Sequence, residues 1–220
     1  MKMMSKKRSW EKKPARIIGR FIKAVFDIIG GLFALILLSP VMIWAAWKVK
    51  HEDGGPIFFC QERIGYNAEP FMTYKFRTMF LDAEARANIL FRDDNIKSGY
   101  EEHAKMIEDP RLTKIGAFLR RTSIDELPQL FNVLKGQMSL IGPRPLIESD
   151  SALCYGKWAK LVYKTKPGMT GLWQVSGRSD TDTTFRRKIN LYYVRKWSLC
   201  LDFWIAFRTF KTVSKGEGAY

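Results

Sequence analysis

The four residues Ser123-Ile124-Asp125-Glu126 concentrate the most reactive chemistry in this chain of 220 residues. Two readings fit them. As a local pattern they form a capping box, in which the Ser123 hydroxyl takes a helix-end amide proton and Glu126 reciprocates three residues later. Asp125 then simply complements the helix dipole. As a reactive pattern, adjacent carboxylates hold Mg²⁺ through oxygen while one oxygen stays free to attack phosphorus. Attack on a pyrophosphate needs the metal, because an anionic nucleophile is otherwise repelled by the phosphates. Cations lie close in sequence: Arg120 and Arg121 just before, and Arg144 between Pro143 and Pro145 just after. A guanidinium on such a stiff backbone suits bidentate phosphate contact. Lys75 and Arg77 sit two apart on a strand pattern and so share a face. They either neutralise phosphates or form a basic edge that discourages strand pairing. The glycine-rich stretch Pro167–Arg178 offers Gln174 and Arg178 as polar handles for a nucleotide, though such a loop alone is a weak signal.

The elements that position these groups follow from composition. PIFFCQERI and PFMTYKFRTM are rich in β-branched and aromatic residues and flank Gly65-Tyr66-Asn67, which predicts a hairpin. Residues 80–108 read as a charged helix and Lys114 to Arg121 as a short one. A third helix is expected from Ser123 to Lys135-Gly136, where glycine stops it. Residues 147–165 are expected to be helical, and Pro167, Gly168, Gly171 and Gly177 to mark a long structured loop. From Asp182 to Ser214 aromatic and basic residues alternate. That pattern suits either helices lying in a headgroup zone or a core stripe with a wet face.

Ile28 to Trp47 is a run of 20 residues without a charge, just long enough to cross a hydrocarbon core as a helix. Ser39-Pro40 interrupts it. Proline removes a donor and crowds the carbonyl of Ile36, and the serine hydroxyl can satisfy the freed group. Both flanks are basic, so a crossing helix would place one against the positive-inside tendency, whereas a re-entrant helix satisfies both. Nine of the 37 Lys and Arg residues fall within residues 1–23 against the single acid Glu11. This tail reads as a flank drawn to anionic lipid, or as a solvated run. The formal net charge of +15 points to anionic partners of some kind: phosphorylated substrates, acidic headgroups or nucleic acid. Three cysteines without close spacing give no disulfide or zinc pattern, and two histidines leave any metal to be a hard ion held by oxygen.

Three stretches together are similar to one known family: KFRTM at Lys75–Met79, DPRLTKIGAFLRRTSIDELPQLFNVLKGQMSLIGPRPL from Asp109 to Leu146, and PGMTGLWQVSGR from Pro167 to Arg178. The chain resembles the monotopic phosphoglycosyl transferases, bacterial sugar transferases that start exopolysaccharide, O-antigen and capsule assembly, from about residue 17 onward. The resemblance implies an α+β, mostly helical fold: a re-entrant N-terminal membrane helix, a small β-hairpin, and a helical catalytic core with interfacial amphipathic helices. It divides the chain into a basic tail (1–16), a membrane-anchoring re-entrant helix (17–50) and a catalytic domain on the cytoplasmic face of the bacterial inner membrane (51–220). The chain is short, which implies that it lacks the N-terminal membrane bundle of larger relatives. The implied reaction moves a sugar 1-phosphate, galactose or glucose, from a UDP-sugar to undecaprenyl phosphate in two steps, and releases UMP. By motif position Asp125 is the nucleophile and Mg²⁺ ligand and Glu126 its partner, while Lys75, Arg120 and Arg144 face phosphate. Arg77, Arg121, Gln174 and Arg178 are the further candidates for substrate contact. No nucleic acid partner is implied. The rival readings are a non-catalytic membrane-surface protein that binds anionic lipid or nucleic acid, and a phosphohydrolase with water as acceptor.

Overall fold

A computed structural model describes residues 14–90, 109–177 and 182–215. The fold is mostly helical, with two small sheets. Helix α1 (Pro14–Asp53) is 40 residues long and runs unbroken through Pro40. Ser39 Oγ donates to the Ile36 carbonyl at 2.8 Å, so the acceptor stranded by the proline is satisfied from the preceding residue. The apolar run alone accounts for only half of this helix. The rest continues into the basic residues on either side.

Strands β1 (Phe58–Ile64) and β2 (Pro70–Phe76) form the expected antiparallel hairpin, with Phe59 opposite Lys75 and Gln61 opposite Thr73. Helix α2 (Ala83–Leu90) follows, and the rest of the helix expected over 80–108 lies outside the described residues. Helix α3 (Lys114–Thr122) opens with a Thr113 cap on the Gly116 amide. Helix α4 (Gln129–Leu134) leads to strand β3 (Ser139–Ile141). The region 147–165 is helical but divided at Gly156 into α5 (Glu148–Tyr155) and α6 (Ala159–Val162). The expected loop contains a short strand, β4 (Gly168–Thr170), parallel to β3. Helices α7 (Thr183–Lys196) and α8 (Leu199–Lys215) complete the chain.

Helix α1 belongs to the core rather than standing beside it. Met42, Ala45 and Val49 pack with Phe76, Leu119 and Leu130. Its N-terminal half is tied by polar bonds: Lys23 to Asp202 at 2.7 Å, and Asp27 accepting from Ser139 Oγ at 2.9 Å and from the Leu140 amide at 3.0 Å. At its other end Asp53 receives both terminal nitrogens of Arg77. Lys23 and Asp53 are thirty residues apart, roughly 45 Å along a helix. The opposite face is bare: Phe21, Phe33, Ile36 and Ile43 are each about two-thirds exposed or more. It is the one helix among the described residues long and apolar enough to cross a membrane.

The two C-terminal helices treat the aromatic-basic pattern differently. In α7, Asn190, Leu191, Tyr193 and Val194 are buried, so this helix supplies core. In α8, Phe203, Trp204, Phe207 and Phe210 are exposed, and Phe203 meets Phe26 of α1 edge-on at 5.6 Å. The apolar surface of α1 thereby continues onto α8.

Two close backbone approaches fix the parts that carry the reactive residues. A Cβ on Gly116 would lie 2.0 Å from the Thr78 carbonyl oxygen, and one on Gly168 would lie 2.0 Å from the Gly142 nitrogen. The first seats α3 on the end of the hairpin, and the second seats the Pro143–Pro145 segment on β4. Gly116→Ala should destabilise the chain by roughly 1–3 kcal/mol through overpacking against unyielding backbone. Thermal unfolding in detergent checks this, and an unchanged midpoint would contradict the packing described.

Candidate active site

Asp125 and Glu126 do not lie in a capping box. Ser123 closes the preceding helix: its amide donates to the Arg120 carbonyl at 3.1 Å, its φ is 58°, and its hydroxyl caps nothing. A 3₁₀ turn over Ile124–Glu126 follows, and α4 starts only after Pro128. The expected helix from Ser123 is therefore shortened at its start. The left-handed residue ends α3 sharply, and the tight turn presents both carboxylates beside β2 and the Arg144 segment.

The two carboxylates have different surroundings. Glu126 Oε1 accepts from Lys75 Nζ at 2.8 Å and from Arg144 Nη2 at 2.6 Å, and Oε2 accepts from Arg144 Nη1 at 3.2 Å. Burial pushes its carboxyl up, but Arg144 and Lys75 outweigh this and hold it well below the usual carboxylate range. Asp125 is only 8% exposed and makes no side-chain hydrogen bond among the described residues. Burial, opposed by Lys75 and reinforced by Glu126, pushes its carboxyl up to about 6. One acid is locked and ionised; its neighbour is buried and uncommitted.

The cations around them are held from several directions. Lys75 reaches the site from β2, and burial draws its ammonium down against the pull of Glu126. Arg120, on the last turn of α3, donates Nε to Thr78 Oγ1 at 3.0 Å, which ties the helix to the hairpin end. Arg63, on β1, was not singled out by any local pattern, yet it braces the Arg144 segment. Its Nη1 donates to the Pro145 carbonyl at 2.5 Å and its Nη2 to Gln61 Oε1 at 2.8 Å. Burial, reinforced by the neighbouring Arg144, lowers it to about 10. Arg186 of α7 stacks 4.1 Å over Trp173 and is also electrostatically coupled to Arg144. Strand alternation relates Arg63 to Gln61, but nothing local in the sequence signals either arginine's proximity to Arg144.

Other candidates are placed elsewhere. Arg77 is engaged by Asp53 and by the carbonyls of Pro56 and Met79, which locks the hairpin to the end of α1. Arg121 is exposed on α3, 5.9 Å over the Phe118 ring. Gln174 is buried and donates to the Met169 carbonyl within its own loop at 3.1 Å. Arg178 lies outside the described residues.

No cluster of three or more His, Cys, Asp or Glu side chains occurs among the described residues. Protein ligands for a metal at this site therefore reduce to Asp125 and an already paired Glu126. That donor set fits Mg²⁺, which commonly takes one or two carboxylates and completes its shell with water and substrate phosphate. The uncommitted oxygens of Asp125 are the ones open to it.

The profile of the bacterial sugar transferase family matches residues 18–216. The chain belongs to that family. It is 44% identical over 207 residues to a Salmonella typhimurium protein named undecaprenyl-phosphate galactose phosphotransferase, covering 94% of this chain and 43% of that one. It is 40% identical over 208 residues to the exopolysaccharide production protein ExoY of Sinorhizobium fredii, covering 93% of this chain and 91% of that one. A Klebsiella pneumoniae relative named UDP-glucose:undecaprenyl-phosphate glucose-1-phosphate transferase is 40% identical over 205 residues, covering 89% of this chain and 41% of that one. The chain thus spans less than half of the Salmonella and Klebsiella relatives and nearly all of ExoY. The family match spans both the long apolar helix and the carboxylate pair.

The inequality of the two acids has a pH consequence. Glu126 has a depressed pKa, so its stabilising contribution is present above the ordinary value of 4.5 and is lost as pH falls below it. Asp125 has a raised pKa, so its proton favours the fold, and that contribution is lost as pH rises from 3.8 through about 6. Asp125→Asn should therefore be more stable than the parent above pH 6, by on the order of 2 kcal/mol. The gap should close toward pH 4. Glu126→Gln should be less stable at neutral pH by about 3 kcal/mol, because Lys75 and Arg144 lose their counter-charge. Denaturation of the metal-free variants across pH measures both, and equal effects from the two substitutions would contradict the assignment.

Proposed function

We propose that the chain transfers a sugar 1-phosphate from a UDP-sugar to undecaprenyl phosphate, through a covalent intermediate on Asp125, at the cytoplasmic face of the bacterial inner membrane. The observation that carries the reading is the uncommitted, buried Asp125 carboxylate beside a Glu126 already saturated by Lys75 and Arg144. A nucleophile must keep an oxygen free, and its low-dielectric surroundings raise its basicity.

In the first step an Asp125 oxygen attacks the β-phosphorus. The bond from that phosphorus to the bridging oxygen breaks, and UMP leaves with the electron pair. In the second step an oxygen of the lipid phosphate attacks the acyl phosphate. This forms the diphosphate and returns the Asp125 carboxylate. Lys75, Arg144 and Arg120 counter the charge on the equatorial phosphoryl oxygens in both steps. Glu126 holds Lys75 and Arg144 in position, so that the cations do not collapse onto Asp125 and pair with it. An Asp125 oxygen would hold Mg²⁺, which would supply Lewis-acid charge to the phosphates when bound, leaving the other oxygen for attack. The names of the Salmonella and Klebsiella relatives favour galactose or glucose as the sugar.

The seat of the chain follows from α1. Its polar ties run from Lys23 to Asp53, roughly 45 Å, which exceeds the hydrocarbon thickness of roughly 30 Å. An upright crossing would drag the charged core through the bilayer with it. A shallow re-entrant seat, with α1 bending at Pro40 where a helix hydrogen bond is missing, would keep Lys23, Asp27 and Asp53 on one side. It also lays the exposed faces of α1 and α8 into lipid and brings Asp125 near headgroup depth.

The decisive assay measures UMP from UDP-galactose or UDP-glucose with Mg²⁺, with and without polyprenyl phosphate. Multiple turnovers only with the lipid are expected. Equal rates without it would indicate hydrolysis, and no UMP under either condition would leave a binding protein. Asp125→Asn should lower turnover by on the order of 10³-fold or more. For the seat, single cysteines placed near Arg20 and near Lys50 should both label from the cytoplasmic side. Labelling from opposite sides would show a span.

A further inference from the structure

A cavity of about 170 Å³ lies apart from the carboxylate pair, and none of the catalytic candidates lines it. Its walls come from the N-terminal half of α1, the hairpin turn, residues 164–166 and the end of α7. Four cations face it, Arg20, Lys23, Lys164 and Lys166, together with Trp197 and a single acid, Asp27. Asp27 is buried and already accepts from Ser139 and Leu140, and Lys23 is partly neutralised by Asp202. Among the described residues Arg20 and Lys166 make no ion pair. The lining therefore carries excess positive charge that the protein does not neutralise, which makes the cavity selective for an anion.

The surroundings identify the kind of anion. The turns of α1 that turn Arg20, Lys23 and Asp27 into this cavity also expose Ile18, Phe21 and Val25 outward. A ligand here sits where apolar helix surface meets a basic shelf capped by an indole, the arrangement of a membrane interface. At about 170 Å³ the cavity is smaller than pockets for drug-sized ligands, which run roughly 300–1,000 Å³. A phosphate with its adjoining glycerol is of suitable scale. We propose that this cavity binds the phosphate headgroup of an anionic phospholipid, which ties the N-terminal half of α1 to the catalytic body at the membrane surface. The inference rests on the membrane seat proposed above and concerns a site separate from the chemistry.

The test uses the full chain in detergent, supplied with phosphatidylglycerol, phosphatidylcholine, polyprenyl phosphate or millimolar inorganic phosphate, and reads retained lipid by native mass spectrometry. Retention of one phosphatidylglycerol per chain is expected, with phosphatidylcholine lost. An Arg20→Gln/Lys166→Gln double variant should bind it about tenfold or more weakly, each basic residue contributing near the surface. Arg20→Lys should keep binding, because the charge remains. Three outcomes overturn the assignment: equal retention of phosphatidylcholine, displacement by inorganic phosphate, or preferential displacement by polyprenyl phosphate. The first shows no headgroup selectivity, the second a simple oxyanion site, and the third a part of the acceptor path. UMP release by the double variant in neutral detergent should equal the parent's. If UMP release stands while lipid retention is the same in parent and variant, the cavity proposal fails alone. If the parent releases no UMP, the transferase reading fails while lipid retention still reports on the cavity.

Discussion

Glu126 between Lys75 and Arg144 is the interaction on which the site depends. Three ionised groups are withdrawn from water there, and each would be costly alone. Together they satisfy one another: the bidentate guanidinium takes both carboxylate oxygens, and the ammonium shares the nearer one. Three separate parts of the chain meet at this point, namely β2, the 3₁₀ turn and the segment after β3. Arg63 braces the third of these through the Pro145 carbonyl, so the hairpin's first strand also feeds the same junction. The consequence for chemistry is indirect but large. With the cations already partnered, the adjacent Asp125 is left buried without a donor, and the nucleophilic role proposed for it rests on its neighbour's pairing.

The long apolar helix and the candidate site share the same scaffold. Helix α1 packs Met42, Ala45 and Val49 against Leu130 of α4 and against Phe76 and Leu119, which belong to the elements that present Lys75 and Arg120. Its far end holds Arg77 through Asp53 and so steadies the exit of β2. The candidate site is therefore referenced directly to the long apolar helix. Under the proposed function, this suits chemistry between a soluble donor and an acceptor whose phosphate is confined to the headgroup plane. The family match over residues 18–216 spans both parts.

Local patterns in the sequence were informative where the partners are local. The hairpin, the apolar helix, the Ser39 hydroxyl on the Ile36 carbonyl and the helix stop at Gly136 all involve neighbours within a few residues. The capping box failed although its residues were right. Ser123 adopts a left-handed conformation as the end of α3, and a four-residue motif cannot tell an end from a start. Strands β3 and β4 are three residues each, too short for alternation to register. The pairings of Lys75 with Glu126 and of Arg77 with Asp53 join residues 51 and 24 positions apart. Strand spacing predicts a shared face for the two cations, but β2 ends at Phe76 and Arg77 pairs with Asp53 of α1 instead of joining Lys75 at Glu126. Arg63 and Arg186 escaped notice for the same reason, since only tertiary packing brings them to Arg144.

In the proposed mechanism Asp125, not Glu126, carries the glycosyl phosphate. Rapid quenching of the chain with UDP-sugar and Mg²⁺ but no lipid, followed by intact-mass and peptide mass spectrometry, addresses it directly. The account predicts an added sugar phosphate confined to Asp125, formed in step with a single burst of UMP. An adduct on Glu126, or a UMP burst with no adduct on either carboxylate, would contradict it.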